Sequence, residues 1–170
     1  NIFQCVEEPA VELTQAMMAA SDTVLGTGGP SMVKAAYSSG KPAYGVGPGN
    51  SQTIVDEEYD DLEKMVGDTL FANRFDNGII CACNRSFITP ESIADKVVDI
   101  MKDQGVYYID NDEERDKLRE CLFPEGYGKI NGKPVGQSAE QVAEMAGIKV
   151  PEGTKNIVVR IYKNGKDEPL

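Results

Sequence analysis

Apolar residues along the chain follow two patterns, helical spacing and short continuous runs. Helical spacing covers residues 9–20 and recurs in a stripe at Leu62, Met65, Val66 and Leu70. Further helices are predicted from Pro30 onward and at residues 90–101, 111–122 and 138–146. Short apolar runs predict strands at residues 22–25, 41–46, 52–55, 79–81, 86–88, 106–109 and 156–162. Because the two kinds of element alternate with short connections, we expect an α/β fold in which helices cover parallel sheets.

Two glycine clusters interrupt this pattern in the first third of the chain. In the first, a strand ends at Gly26 and a helix begins at Pro30, so Gly28 and Gly29 could bring a phosphate close to the helix N-terminus. The segment is neither G-x-G-x-x-G nor a P-loop, and turns of this kind also use glycine for geometry alone. In the second, residues 45–50 hold three glycines, which either a nearby ligand or a crowded bend would require.

Composition and charge restrict the classes of partner that we expect this protein to bind. The chain has 170 residues, 41% hydrophobic and 26% charged, and its 17 basic and 28 acidic residues give a net charge of −11. A nucleic-acid binder or a protein docked on anionic lipid needs a basic face, so we expect neither partner. No apolar run approaches the roughly 18 residues of a spanning helix, and no signal peptide is recognisable, which predicts a cytoplasmic protein with reduced thiols.

Cysteine is the residue type in this chain that is a candidate for nucleophilic catalysis. Histidine is absent, which excludes histidine bases and ligands, and the cysteine spacing fits no zinc motif, so we predict no metal site. Cys81 follows the turn Phe75-Asp76-Asn77-Gly78 and two isoleucines, which predicts a strand end that presents its thiol. Such a thiol can attack a carbonyl, whereas most free cysteines are small buried hydrophobes. The residues alone leave both interpretations open.

Three segments carry a resemblance to a known family. Residues 27–50 read TGGPSMVKAAYSSGKPAYGVGPGN, residues 74–82 read RFDNGIICA, and residues 135–155 read VGQSAEQVAEMAGIKVPEGTK. In this order and spacing they resemble the CoA-acylating aldehyde dehydrogenases, most closely the aldehyde dehydrogenase half of bifunctional aldehyde/alcohol dehydrogenases. The resemblance implies that residues 1–50 are the C-terminal part of a Rossmann-like NAD-binding domain and that residues 51–170 belong to the catalytic domain.

The resemblance also implies roles for individual residues. Cys81 matches the catalytic cysteine of the family. Thr27, Gly28 and Gly29 match the place where a helix N-terminus borders the cofactor pyrophosphate, and Gly47 matches backbone near the nicotinamide. The implied reaction is NAD-dependent oxidation of a short aldehyde to acyl-CoA, with NAD as cofactor and CoA as co-substrate. The chain is then expected to be a fragment that is inactive by itself, taken from a cytoplasmic or microcompartment enzyme that forms homo-oligomers.

Two alternatives remain at this stage. One is a catalytically inactive α/β module for binding or assembly, which would tolerate alanine at Cys81. The other is a hydrolytic aldehyde dehydrogenase, but Val46 stands where the hydrolytic relatives carry a glutamate that activates water, and valine cannot act as a base. Where close relatives have Glu-Gln after the cysteine, this chain has Cys83-Asn84-Arg85. Phe71, Phe75 and Phe87 either line the aldehyde pocket or pack in the core, and core packing is the expected role.

Overall fold

The computed structural model describes residues 3–170. Its helices are α1 Val11–Ala20, α2 Pro30–Tyr37, α3 Leu62–Arg74, α4 Glu91–Asp103, α5 Asp112–Leu122 and α6 Ala139–Met145. Its strands are β1 Val24–Thr27, β2 Ala43–Val46, β3 Ser51–Ile54, β4 Asn84–Ile88, β5 Tyr107–Ile109 and β6 Ile157–Val159. Single 3₁₀ turns cover Phe75–Gly78 and Gly165–Asp167. The chain divides into two compact units, of which the first ends at Gly49 and the second is Asn50–Leu170.

The strands of residues 3–170 form three parallel pairs, β1–β2, β3–β4 and β5–β6. Parallel partners need a crossover connection, and at least one helix lies between the two members of each pair. This arrangement confirms the predicted α/β class. Within residues 3–170, no helix has both the length and the apolar character needed to cross a bilayer.

In the first unit, α2 packs against β1 and β2. Pro30 occupies the first turn of α2, as predicted, and Ala36 on this helix is fully buried with Val24. The first strand continues past Gly26 to Thr27, so the predicted end at Gly26 is wrong. The strand continues because Gly26 and Thr27 pair with Gly45 and Val46 of β2. Glycine at position 26 also leaves room for the helix, since a Cβ there would lie 3.3 Å from the Cβ of Ala36.

The second unit has two hydrophobic cores. The first combines α3 and α4 with the neighbouring strands, and its buried members are Val55, Leu62, Val66, Leu70, Val97, Met101 and Val106. The second joins α5 and α6 to β5 and β6, and its buried members are Ile109, Leu118, Ala143 and Ile148. The predicted capping box of α6 is present, since Ser138 and Gln141 bond each other's main-chain N–H groups.

The last strand is shorter than predicted, Ile157–Val159 instead of residues 156–162. Its partner β5 ends at Ile109, whose carbonyl accepts the final ladder bond from the Arg160 N–H at 3.0 Å. Beyond that bond, β5 offers no further extended backbone for pairing. The strand length is therefore limited by the partner and not by the apolar run itself.

Candidate active site

A left-handed turn leads from α3 towards Cys81. Asp76, Asn77 and Gly78 have φ angles of 49°, 51° and 71°, so three successive residues lie in the left-handed region. Asp and Asn adopt this conformation more readily than other side chains. Gly78 is also required sterically, because a Cβ there would come within 3.0 Å of the main-chain oxygen of Asn73. The sequence Asp-Asn-Gly thus builds a sharp reversal directly before the cysteine segment.

Cys81 lies in an irregular turn, which corrects the predicted strand over residues 79–81. The Ile79 N–H donates to the Asp76 carbonyl at 3.2 Å, and the Cys83 N–H donates to the Ile80 carbonyl at 3.0 Å. These local bonds hold the backbone in tight turns, and β4 begins only at Asn84. Cys81 is exposed to solvent, so its thiol is open to a reactant.

Two side chains that follow Cys81 in the sequence hold this turn in place by hydrogen bonds to main-chain carbonyls. Cys83 is buried, 4% exposed, and its thiol donates to the Phe75 carbonyl at 3.5 Å. The Arg85 guanidinium donates to the Ile80 carbonyl at 2.9 Å. Cys83 is therefore a small packed residue, and Cys81 is the member of the pair that solvent can reach. Of the other cysteines, Cys5 is exposed, and Cys121 is half-buried with its pKa raised by that burial.

The loop of residues 124–137 contributes to the site. The side-chain amide of Asn77 donates to the Gly136 carbonyl at 2.9 Å. Gly136 has a φ of 76°, and a Cβ there would lie 3.3 Å from the Cδ1 of Ile79. The loop therefore lies directly against the turn that precedes Cys81. Asn77 and Gly136 belong to two of the motifs quoted above, but their contact was not evident from the sequence.

Three asparagines, of which Asn156 is buried, connect the end of α3 to two neighbouring strands. The Asn73 amide donates to the Asn84 carbonyl at 2.6 Å and accepts from the Asn156 amide at 3.1 Å. Asn156 is buried, and an unpaired amide at that position would be costly. These three residues join the end of α3 to the strands β4 and β6. Sequence reasoning missed them, because asparagine near a strand end is usually interpreted as a turn residue.

The three phenylalanines near the site divide into two groups. Phe87 packs against the core formed by α3 and α4, as expected. Phe71 and Phe75 are 70% and 61% exposed, so core packing was the wrong prediction for both. Phe71 follows the buried Leu70 by one residue, which rotates it about 100° around the helix, away from the buried stripe. Two aromatic side chains are thus exposed on the segment that leads to Cys81.

In the first unit, the turn after β1 contains two glycines, and a ligand has space to approach the main chain at one of them. Gly29 is the N-cap of α2 without a side-chain cap, and a Cβ there would meet nothing within 4 Å. Gly28 has a packing role, since its Cβ would come within 3.1 Å of Met32. Thr27, the last residue of β1, is exposed. The feature that suits a phosphate is therefore the uncapped helix start at Gly29.

The second glycine cluster, residues 45–50, contains one glycine in a crowded bend and one glycine with open space beside it. Gly45 lies under Tyr37, because a Cβ there would approach the ring to 2.8 Å, and its N–H donates to the Tyr37 hydroxyl at 3.1 Å. This glycine is explained by a crowded bend. Gly47 has open space around its Cα, and the adjacent Val46 is exposed. Of these positions, Gly47 is the one where a ligand could approach the backbone.

Comparisons with known proteins find relatives that match the whole length of this chain. No protein-family model matches the chain. Succinate-semialdehyde dehydrogenase (acetylating) of Clostridium kluyveri is 48% identical over 170 residues, 100% of this chain and 37% of that protein. The aldehyde-alcohol dehydrogenase of Clostridium acetobutylicum is 46% identical over 170 residues, 100% of this chain and 19% of that protein. This chain is homologous over its whole length to the CoA-acylating aldehyde dehydrogenases. The resemblance stated from the three motifs is confirmed, and the chain spans well under half the length of these relatives.

Solved structures agree with this assignment. An acetylating aldehyde dehydrogenase from Geobacillus thermoglucosidasius has a TM-score of 0.87 and 41% identity, covering 97% of this chain and 36% of that one. A propionaldehyde dehydrogenase from Rhodopseudomonas palustris has a TM-score of 0.83 and 32% identity over 94% of this chain and 36% of its own. That structure contains CoA and an acylated cysteine. An engineered glycolyl-CoA reductase with bound NADP+ has a TM-score of 0.81 and 34% identity, covering 92% and 35%.

Proposed function

We propose that this chain is the thiol-bearing part of an NAD-dependent, CoA-acylating aldehyde dehydrogenase in which Cys81 is the nucleophile. The observation that carries the proposal is the exposed Cys81 thiol, presented by a left-handed turn in a chain homologous to acylating enzymes throughout its length. The acylated cysteine of the Rhodopseudomonas palustris neighbour supports the same role.

The reaction begins at the sulfur of Cys81. Its thiolate attacks the carbonyl carbon of the aldehyde, which forms a C–S bond and places negative charge on the oxygen. The main-chain N–H of Cys81 is the donor that we assign to this oxyanion. Loss of hydride from the carbon then restores the C=O bond and leaves an acyl thioester on Cys81. Bound NAD supplies the hydride acceptor for that oxidation.

Release of the product regenerates the thiolate. The thiol of CoA attacks the thioester carbonyl, the bond to the Cys81 sulfur breaks, and acyl-CoA leaves. Water could replace CoA only with a base to activate it, and Val46, at the position of the glutamate in hydrolytic relatives, cannot serve. The proposal therefore favours acyl-CoA over a free acid, and the reverse sequence reduces acyl-CoA to aldehyde.

Residues of the first unit fit the cofactor. Gly29 leaves the start of α2 uncapped and sterically open, which suits the pyrophosphate of NAD. Thr27 and Gly28 complete the turn, with Gly28 placed by its packing on Met32. Gly47 has room for the nicotinamide end beside it. Assembly as a homo-oligomer and a cytoplasmic or microcompartment location stay predictions from the resemblance.

The half-reaction at sulfur offers a direct test that needs no NAD. A longer protein that contains this segment is incubated with acetyl-CoA in the absence of NAD, and acylated cysteines are located by peptide mass spectrometry. We expect the acetyl group on Cys81 and its loss in Cys81→Ser. Cys5 is the matched control, because it is also exposed but lies outside the turn that carries Cys81. Equal labelling of Cys5 and Cys81, or labelling of neither, would contradict the proposal.

The complete reaction is tested in a longer protein that contains this segment. We expect NADH formation from short aldehydes that requires CoA and disappears in Cys81→Ser. NADH formation without CoA would instead indicate a hydrolytic enzyme. A folded protein that binds NAD but forms no NADH under either condition would favour the inactive module.

A further inference from the structure

The peptide unit between Ile80 and Cys81 is held at its carbonyl end by two donors. The Ile80 carbonyl accepts from the Cys83 N–H at 3.0 Å and from the Nη2 of Arg85 at 2.9 Å. The first donor belongs to the main chain of the turn, and the second is a charged side chain on β4. A hydrogen bond from a charged donor is roughly twice as strong as one between neutral groups. Arg85 is therefore the stronger anchor of this carbonyl.

The same peptide unit contains the N–H of Cys81. The bond between Ile80 and Cys81 is trans, so its C=O and N–H lie in one plane and point in opposite directions. Among residues 3–170, no group accepts a hydrogen bond from the Cys81 N–H. Anchoring the Ile80 carbonyl therefore also sets the direction of the Cys81 N–H, which is left available to a ligand.

The guanidinium of Arg85 extends across the turn that precedes Cys81. A Cβ on Gly78 would lie 3.4 Å from its Nη1, so glycine at this position leaves room for the arginine head group. The arginine thus contacts the turn at Gly78 and at Ile80. It belongs to the segment Cys83-Asn84-Arg85, in which this sequence departs from the Glu-Gln of its close relatives.

We propose that Arg85 is a positioning residue for the oxyanion donor, acting on the Cys81 N–H through the Ile80 carbonyl. The inference rests on the proposed function, in which this N–H stabilises the charged oxygen of the reacting carbonyl group. Arg85 keeps the N–H aimed at that oxygen. Its positive charge also polarises the shared peptide unit, and linked hydrogen bonds strengthen one another in this way. Arg85 itself does not touch the substrate.

Two reactions of the same sulfur separate this role from simple exposure of the thiol. When the Cys81 thiolate attacks acetyl-CoA, a C–S bond forms, the π electrons of the carbonyl group move onto oxygen, and the CoA thiolate then leaves. When the thiolate attacks iodoacetamide, it displaces iodide from a saturated carbon, and no oxyanion forms. Both reactions consume the same thiolate, so the ratio of their rates does not depend on the thiolate fraction.

The test compares both rates at Cys81 in a longer protein that contains this segment, without NAD, by peptide mass spectrometry. In Arg85→Ala we expect acetylation to slow about tenfold relative to alkylation, less than the about 100- to 1,000-fold cost of removing an oxyanion donor outright. Arg85→Lys keeps the charge but loses the planar fork, so its ratio should be intermediate. Added methylguanidinium should restore acetylation in Arg85→Ala but not in Arg85→Lys.

Ser51 provides a matched control. Its hydroxyl donates to the Cys81 carbonyl at 3.4 Å, which belongs to the next peptide unit, the one that carries the Ala82 N–H. Ser51→Ala therefore removes a hydrogen bond to the same turn but leaves the anchor of the Cys81 N–H intact. We expect its ratio of acetylation to alkylation to equal that of the unsubstituted protein.

Steady-state kinetics give a second measurement. Because the oxyanion forms after the aldehyde is bound, Arg85→Ala should lower kcat and leave KM for the aldehyde nearly unchanged. Thermal unfolding shows whether each variant is folded, and Arg85→Lys decides if Arg85→Ala is not.

Three results would overturn the inference alone: acetylation and alkylation slowed equally in Arg85→Ala, acetylation unchanged in that variant, or the same loss of ratio in Ser51→Ala. In each of them the unsubstituted protein still acetylates Cys81, so the proposed function stands. Failure of the unsubstituted protein to acetylate Cys81 would overturn the proposed function and this inference with it.

Discussion

The side-chain amide of Asn77 donates a hydrogen bond to the main-chain carbonyl of Gly136, 2.9 Å away and 59 residues further along the chain. Both residues have left-handed backbones, with φ angles of 51° and 76°. The bond ties the turn before Cys81 to the loop between α5 and α6. The placement of Cys81 therefore depends on a segment that is distant from it in the sequence.

Replacing Asn77 should loosen this turn. Asn77→Gly keeps the left-handed conformation accessible and loses only the hydrogen bond, so we expect a cost of about 1 kcal/mol in the free energy of unfolding. Asn77→Ala loses the bond and also the short polar side chain that makes the left-handed conformation more accessible to asparagine than to alanine, which adds about 1 kcal/mol. Urea unfolding measures both values, and the alkylation rate of Cys81 should change in both variants. An alanine variant as stable as the unsubstituted chain would contradict this account.

The two glycines that flank Val46 should respond differently to alanine. In Gly45→Ala the new Cβ meets the ring of Tyr37 at 2.8 Å and a methyl of Val33 at 2.9 Å, so we expect destabilisation of about 1–3 kcal/mol. Gly47→Ala enters open space and should be neutral or slightly stabilising. Thermal unfolding of the two variants checks the difference. Equal effects would mean that Gly45 is not held under Tyr37.

The core around β5 should be far more sensitive than the exposed face of β3. Ile109 is 0% exposed and Ile54 is 78% exposed, although both are strand isoleucines. Ile109→Ala should cost about 3 kcal/mol through lost burial and a cavity. Ile54→Ala should cost below about 1 kcal/mol. Denaturant titration compares the pair, and a small effect at Ile109 would show that this core is loosely packed.

Local sequence signals predicted the elements well where the cause of an element is itself local. Pro30 at the start of α2 and the Ser138–Gln141 capping box are examples, since a few adjacent residues decide them. The run Ile79-Ile80-Cys81 was predicted as a strand from its apolar character. The left-handed residues before it impose a turn instead, and that backbone conformation is invisible to hydrophobic patterning.

The surroundings of Cys81 were harder to predict because they depend on distant contacts. The cysteine itself could be proposed from its motif. Asn73 and Asn156 are 83 residues apart, and only the packing of α3 against the sheet brings their amides together. Phe71 gave the opposite error: an aromatic residue next to a buried stripe was expected inside, but helix geometry turns it outward.

Glu168 should make the second unit sensitive to acid. Its buried carboxylate accepts hydrogen bonds from Arg119, at 2.6 Å from Nη2 and 3.1 Å from Nε, and these bonds hold the pKa of Glu168 below its ordinary value of 4.5. Because the folded-state pKa is the lower one, this stabilisation is fully present above the unfolded-state pKa and is lost as the pH falls through the folded-state pKa. Urea unfolding between neutral pH and about pH 3 should show that loss, and Glu168→Gln should be less stable at neutral pH with a shallower acid limb. An acid limb of the same steepness in Glu168→Gln would mean that other carboxylates cause the acid sensitivity.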